Sequence, residues 1–191
     1  MISPSPDAIL DAALARAGSC HWENLRLADV AADLGCGLGD IHAHFRDKEA
    51  LVDAWWDRAD TAMLATDPVV DDPSSRAEIL VLAWLDTFAS RRRTAREMLH
   101  VRLEPGHLHI QLPTLFRLSR TVQWLREAAG MHEGLPWRAI DETGMTLLFS
   151  TTVLRWLHDG NREAAQRMLR QGLQLRSQLP IPPAPNPRGR S

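Results

Sequence analysis

Several things are scarce in this chain, and each scarcity excludes something. There are two cysteines, Cys20 and Cys36, in no CxxC pair and at no metal-ligand spacing. That argues against a disulfide framework and fits a reducing, cytoplasmic setting. One lysine stands against 21 arginines, a bias that points to a GC-rich coding genome rather than to a mechanism. The longest apolar stretch, Met145 to Leu157, is interrupted by Ser150, Thr151, Thr152 and Arg155, so it is too short and too polar to span a bilayer. The N-terminus has no basic start followed by an apolar core, so no secretory signal is expected. No GxSxG, glycine-rich phosphate loop or pair of catalytic carboxylates occurs, so neither an enzyme nor a cofactor is expected. His100, His107 and His109 have no acidic or cysteine partner at ligand spacing apart from Glu104, and read as polar loop histidines rather than a metal site. No two-residue alternation suggests a strand, and no internal repeat is evident.

What is present reads as helix throughout. The 191 residues are 45% hydrophobic and 24% charged, enough for one or two domains with proper cores. Ser5-Pro6-Asp7 is a helix start, and Ile9, Leu10, Ala13 and Leu14 form an apolar stripe that stops at Gly18. Trp22 and Leu25 sit in the connection and are expected to pack back. Leu27, Val30, Ala31 and Leu34 form the core face of a short helix, Gly35-Cys36-Gly37 a turn, and Leu38 to His44 a third helix. Asp47 caps a fourth through Leu51, Val52, Trp55, Ala59 and Met63. Asp67-Pro68 and Asp71-Asp72-Pro73 mark a hinge at 66–75. Beyond it, helices are expected around Ile79 to Phe88, ending near Arg91-Arg92-Arg93, then over Met98–Leu103, Leu115–Ala129, Trp137–Leu157 and Glu163–Leu179. Glu104-Pro105-Gly106 breaks the second of these. Ser90 with the three arginines reads as solvated surface. The tail from Pro180 is proline-rich and expected to be disordered. The implied division is 1–50, 51–179 and a 180–191 tail.

Two short helices joined by a glycine turn and followed by a long helix have the layout of a DNA-reading helix-turn-helix. The charge runs against it. Residues 1–60 carry five basic and eleven acidic side chains, a formal charge of −6, whereas residues 61–191 carry 17 basic and 13 acidic, or +4. Phosphate binding ordinarily calls for a basic patch.

The segment from Leu27 to Leu51 resembles the signature of the tetracycline-repressor (TetR) family. Ala31, Gly35, Phe45, Lys48 and Leu51 stand where that family has its helix contact, turn, core aromatic, helix-start lysine and core leucine. The resemblance implies an all-α, TetR-like fold. An N-terminal three-helix helix-turn-helix domain and a linking helix would precede a C-terminal helical domain for ligand binding and dimerisation. Its departures fall on DNA-facing positions. Gly37 replaces the usual Ser or Thr, and His42 replaces Tyr. Leu38 and Asp40 occupy places that are commonly basic or polar, and Ser3-Pro4-Ser5-Pro6-Asp7 replaces a basic arm. The candidate DNA-binding residues are Arg26, Gly37, Leu38, Gly39, Asp40, His42, His44 and Lys48. Arg26 and Lys48 are the candidate phosphate contacts, and Asp40 as an acceptor suits only a cytosine amino group.

In the second domain the resemblance implies a small apolar ligand or lipid and a homodimer face. The candidate ligand-binding residues are Trp84, Phe88, Met98, Leu115, Phe116, Trp124, Leu148, Phe149 and Thr152. Thr151 and Thr152 are either polar anchors or bonded to their own backbone. Leu103-Glu104-Pro105-Gly106-His107, Val122 to Gly130, Trp137 and the helix to Trp156 are also similar to the lipid-binding accessory proteins of ubiquinone biosynthesis, which have a TetR fold without DNA binding. The last helix sets Ala165, Met168, Leu169, Gly172, Leu173 and Leu179 beside Arg162, Arg167, Arg170 and Arg176. That face suits either dimer packing or peripheral contact with an anionic membrane. The leading expectation is a DNA-binding repressor controlled by a small apolar ligand. The alternative is a lipid or isoprenoid carrier that no longer binds DNA.

Overall fold

A computed structural model describes residues 3–103, 108–132, 134 and 137–179, with backbone only at 103, 108–113 and 115. Among these residues there are nine α-helices and no strand. They are α1 (Pro6–Ser19), α2 (Leu27–Asp33), α3 (Leu38–His42), α4 (Lys48–Ala65), α5 (Pro73–Ala89), α6 (Arg92–Leu103), α7 (Leu108–Ala129), α8 (Trp137–Asp159) and α9 (Arg162–Ser177), with a single 3₁₀ turn at Trp22–Asn24. The expected proline-rich tail and the Glu104-Pro105-Gly106 break lie outside the described residues.

Polar caps begin several of these helices. Ser5 Oγ accepts from the Ala8 N–H at 3.2 Å, Asp47 from Ala50 at 2.8 Å, Asp72 from Ser75 at 2.8 Å, and Asn161 from Ala164 at 2.9 Å. Each satisfies a helix-start N–H that has no partner within its own helix. Several expected boundaries shift, and α5 begins at Pro73, inside the expected 66–75 hinge and before Ile79. The third helix stops at His42 rather than His44, because His44 and Phe45 N–H both bond back to Ile41 O. Arg92 and Arg93 open α6 instead of closing α5, six residues before the expected start at Met98. α7 begins at Leu108, upstream of Pro113, which lies in its second turn rather than before its start. α9 runs over 162–177 rather than 163–179.

α1, α2 and α3 form the front of the molecule. α4 leaves it and packs along α5, which also carries α7 and α9. A single apolar core runs from Ile9 to Leu173. Its centre is aromatic. Trp84 lies 4.7 Å from Phe88 and 5.0 Å from Phe149, and Phe88 lies 4.8 Å from Trp55, all in the tilted or edge-on arrangements that aromatic quadrupoles favour. No described helix is long and apolar enough to cross a membrane.

Candidate nucleic-acid interface and its supports

The turn between α2 and α3 is built by its glycine. Gly35 has φ +63°, where a Cβ would be strained. Its N–H bonds to Ala32 O and that of Cys36 to Ala31 O, closing α2 in a Schellman arrangement. Val30, Ala31, Ile41 and Phe45 are buried beneath it. This leaves Gly37, Leu38, Gly39, His42 and His44 exposed along α3, with Arg26 exposed at the start of α2.

Two of the candidate DNA-binding residues have other bonds. Asp40 turns back on its own helix, its Oδ2 accepting the Gly37 N–H at 2.9 Å and its Oδ1 accepting Ser3 Oγ at 3.4 Å. Its carboxylate therefore offsets the positive end of α3 and is not directed at a base edge. Lys48 Nζ donates to the carbonyls of Trp22 at 3.0 Å and Glu23 at 3.1 Å, and lies 5.2 Å from the Trp22 ring centre. It ties the 3₁₀ turn to the start of α4, which leaves one of its three N–H groups for anything else. Sequence reasoning passed over Arg46. Its side chain is 81% exposed just beyond α3, paired at 3.3 Å with the half-exposed Asp47.

The acidic excess of residues 1–60 resolves into partnerships. Arg58 holds Asp7 and Asp11, and Arg16 holds Asp33. Arg102 holds Glu49 and Asp53, and Arg117 holds Asp57 and Asp60. With Asp47 beside Arg46, eight of the eleven acids are ion-paired, and Asp40 and Asp47 are helix caps. Glu49, Asp53, Asp57 and Asp60 recur every three or four residues, so they form one stripe along α4. Two arginines of the later helices, Arg102 and Arg117, grip that stripe. Four of the front acids and two of the later arginines are thus two sides of one internal interface.

α6 holds the front domain along its length. At its N-terminal end the Arg91 guanidinium donates to Leu14 O at 2.8 Å. Glu97 accepts the Trp22 N–H at 2.9 Å, faces His21 Nδ1 at 2.9 Å and accepts Arg93 Nε at 3.0 Å. Burial opposes its ionisation, but these bonds prevail and hold its carboxyl below the ordinary value. Arg102, 4% exposed, donates to Glu49 Oε2 and Glu49 O and lies over Trp56. Of the run expected to be solvated surface, Ser90 and Arg93 are exposed, whereas Arg91 and Arg92 are half-buried and bonded to backbone carbonyls. Arg92 donates to Leu157 O at 2.7 Å.

The candidate ligand residues separate into two groups. Trp84, Phe88, Met98, Phe149 and Thr152 are buried, and the void between Trp84, Phe88 and α8 holds about 10 Å³, room for one water at most. They act as packed core here. Thr152 donates to Leu148 O at 2.7 Å and Thr151 to Leu147 O at 2.8 Å, so both hydroxyls go to their own helix. Phe116 and Trp124 are 67% and 57% exposed on α7 and wall no interior space. The Leu115 side chain lies outside the described residues. Leu148 packs under Gly172, beside a groove of about 750 Å³ between α8 and α9.

The groove, and α8 beyond it as far as Leu154, carries a pattern. Ile140, Gly144, Leu147, Thr151 and Leu154 follow one another along α8 at spacings of 4, 3, 4 and 3, and all are exposed. Met168, Gly172, Leu175 and Leu179 continue the same spacing along and just past α9, with Leu175 and Leu179 exposed. A seam with that period fits the knobs-into-holes packing of helix bundles. The adjoining face of α9, Ala165, Leu169 and Leu173, is buried in the core. Arg162, Arg170 and Arg176 reach Asp86, Glu78 and Asp141, and Arg167 stays exposed beside Glu163 on its own helix. The apolar face expected to meet a membrane is in large part already packed.

The geometry defines a class: an all-α protein with an N-terminal helix-turn-helix tied through one long helix to a helical body. No protein-family model and no curated protein matches the chain. Among solved structures it is similar to the TetR transcriptional regulator from Nitrosomonas europaea, at 36% identity over 91% of this chain and 98% of that one, with a TM-score of 0.78. A transcriptional regulator from Rhodococcus sp. RHA1 shares the fold alone, at 18% identity over 90% of this chain and 95% of that one and a TM-score of 0.54. The chain belongs to the TetR family of transcriptional regulators.

Proposed function

We propose that this protein binds operator DNA as a homodimer and represses transcription, with α3 entering the major groove. The observation that carries this reading is the destination of the acids. Eight are paired with arginines, Asp47 with Arg46 among them, and Asp40 caps a helix, which leaves Arg26, His42 and His44 exposed around α3 beside the Arg46–Asp47 pair. The electrostatic objection to phosphate binding is therefore weaker than a charge count implies. The partner copy is assigned to the unpartnered seam of α8 and α9, where a two-fold axis would place the two α3 helices on successive half-sites. The family assignment supports both expectations coarsely.

The carrier alternative draws less support, since the interior that would house an isoprenoid is filled by Trp84, Phe88 and Phe149. Gel-shift titration against genomic fragments over a range of salt tests the reading. One fragment should be retained far more tightly than random duplex, with affinity falling steeply as salt rises. Arg26→Gln should lower the slope of log affinity against log salt by about 1 per copy. A dimer that holds no fragment even in dilute buffer would leave the repressor reading without support.

A further inference from the structure

The interior of the helical body is closed, but the seam between that body and the DNA-reading domain is open. A cleft of about 570 Å³, within the size range of small-molecule sites, lies between the 3₁₀ turn, α6 and the C-terminal turns of α8. We propose that this cleft is an effector site for a small organic anion with an apolar body. Its occupancy would shift the hold of α6 on the front domain. The effect on DNA rests on the regulator reading above; the binding itself does not.

The lining argues for the ligand class. Trp22, Leu99 and Leu157 are buried and Leu154 is 45% exposed, so these residues offer an apolar surface. The polar lining is chiefly donors. Glu97 is already committed, with Arg93 and His21 at one oxygen and the Trp22 N–H at the other. Arg96, His100 and His158 have no hydrogen-bond or ion-pair partner among the described residues, and all three are exposed at the cleft. Glu23 is the one other acid, set against an arginine and three imidazoles. An arriving carboxylate would meet the Arg96 fork, with imidazole N–H donors of His100 and His158 beside it. A cation would find Glu23 alone.

The position argues for the consequence. The cleft shares its wall with the bonds through which α6 holds the 3₁₀ turn, and Lys48 ties that turn to the start of α4. An occupant touching His21 or Trp22 on one side and α6 and α8 on the other contacts both parts of the chain. A change in their separation therefore changes its affinity, and by reciprocity its binding changes their separation.

The test is calorimetric titration of the full chain with octanoate and with phenylacetate, each against its neutral amide. Arg96→Gln and His158→Gln follow, both at exposed positions where folding should survive and can be checked by circular dichroism. At least one acid should bind saturably and its amide should not, and each variant should weaken the acid about tenfold, as for one lost charge-assisted contact. Equal binding of acid and amide overturns the ligand class. Unchanged affinity in both variants places the probe elsewhere and overturns the site. No saturable heat with any probe overturns the proposal. Acid binding that depends on Arg96 in a chain without operator affinity would leave the site standing and remove the regulator reading; operator affinity without acid binding would do the reverse.

Discussion

Replacing Leu147 by glutamate puts the dimer seam to a direct test. Leu147 is 66% exposed in the single chain, midway along the run from Ile140 to Leu154. Full burial of a leucine side chain is worth about 2 kcal/mol, so covering the exposed two-thirds contributes about 1.3 kcal/mol per copy. A two-fold interface buries the residue twice, which makes about 3 kcal/mol, or roughly a hundredfold in the dissociation constant. Glutamate removes that gain and sets a carboxylate in an apolar seam, so the loss should be at least this large. The isolated chain should still fold, because the side chain makes little use of its own core. Sedimentation equilibrium of wild type, Leu147→Glu and Trp124→Ser would measure it. Trp124 is also exposed, 57%, but lies on α7 away from the seam, and its loss should leave association unchanged. An unchanged constant for Leu147→Glu, or a larger loss for Trp124→Ser, would refute the assignment of the seam.

Arg102→Leu should cost about 2 kcal/mol in urea unfolding. That is below the range for breaking a fully buried pair, because the stranded Glu49 and Asp53 side chains are 28% and 42% exposed and regain water. Gly35→Ala should cost about 1–2 kcal/mol by the same assay, since the turn needs φ +63°. The Arg170 guanidinium bonded to Glu78 holds that carboxyl below its ordinary value of 4.5, despite partial burial. A folded-state value depressed in this way contributes stability that is present above about pH 4.5 and is lost as the pH falls below it. Unfolding titrations at neutral pH and at successive points below 4.5 should therefore show a smaller acid loss in Glu78→Gln than in wild type.

The helix-turn-helix was legible because its cause is local. Gly35 can take a left-handed φ, and the apolar 3–4 spacing before and after it has one helical solution. Pro68 and Pro73 bracketed the link between α4 and α5 for similar reasons. The candidate site was legible in outline but not in its bonds. Asp40 stands on α3, yet its carboxylate closes on Gly37, and no count of residues distinguishes a cap from a base contact. Lys48 has the right place for phosphate, but two carbonyls of the 3₁₀ turn lie within its reach. The heptad spacing of Ile140, Gly144, Leu147, Thr151 and Leu154 was visible in the letters and went unread, because it overlaps the periodicity of the core face on the same helix. Of the aromatic residues expected to wall a ligand cavity, Trp84, Phe88 and Phe149 pack against one another in the core while Phe116 and Trp124 face outward, since packing depends on how volumes meet and not on residue identity.

Helix positions, the turn and the family likeness follow from the chain alone, because backbone dihedrals and apolar periodicity are set over a few residues. Where each charge goes was decided only by the tertiary structure. Arg102 and Arg117 lie dozens of positions from the carboxylates they hold, and electrostatic energy depends on distance and burial rather than on order along the chain. The same sequence therefore reads as a front domain too acidic for DNA, and folds into one whose acids largely face its own arginines.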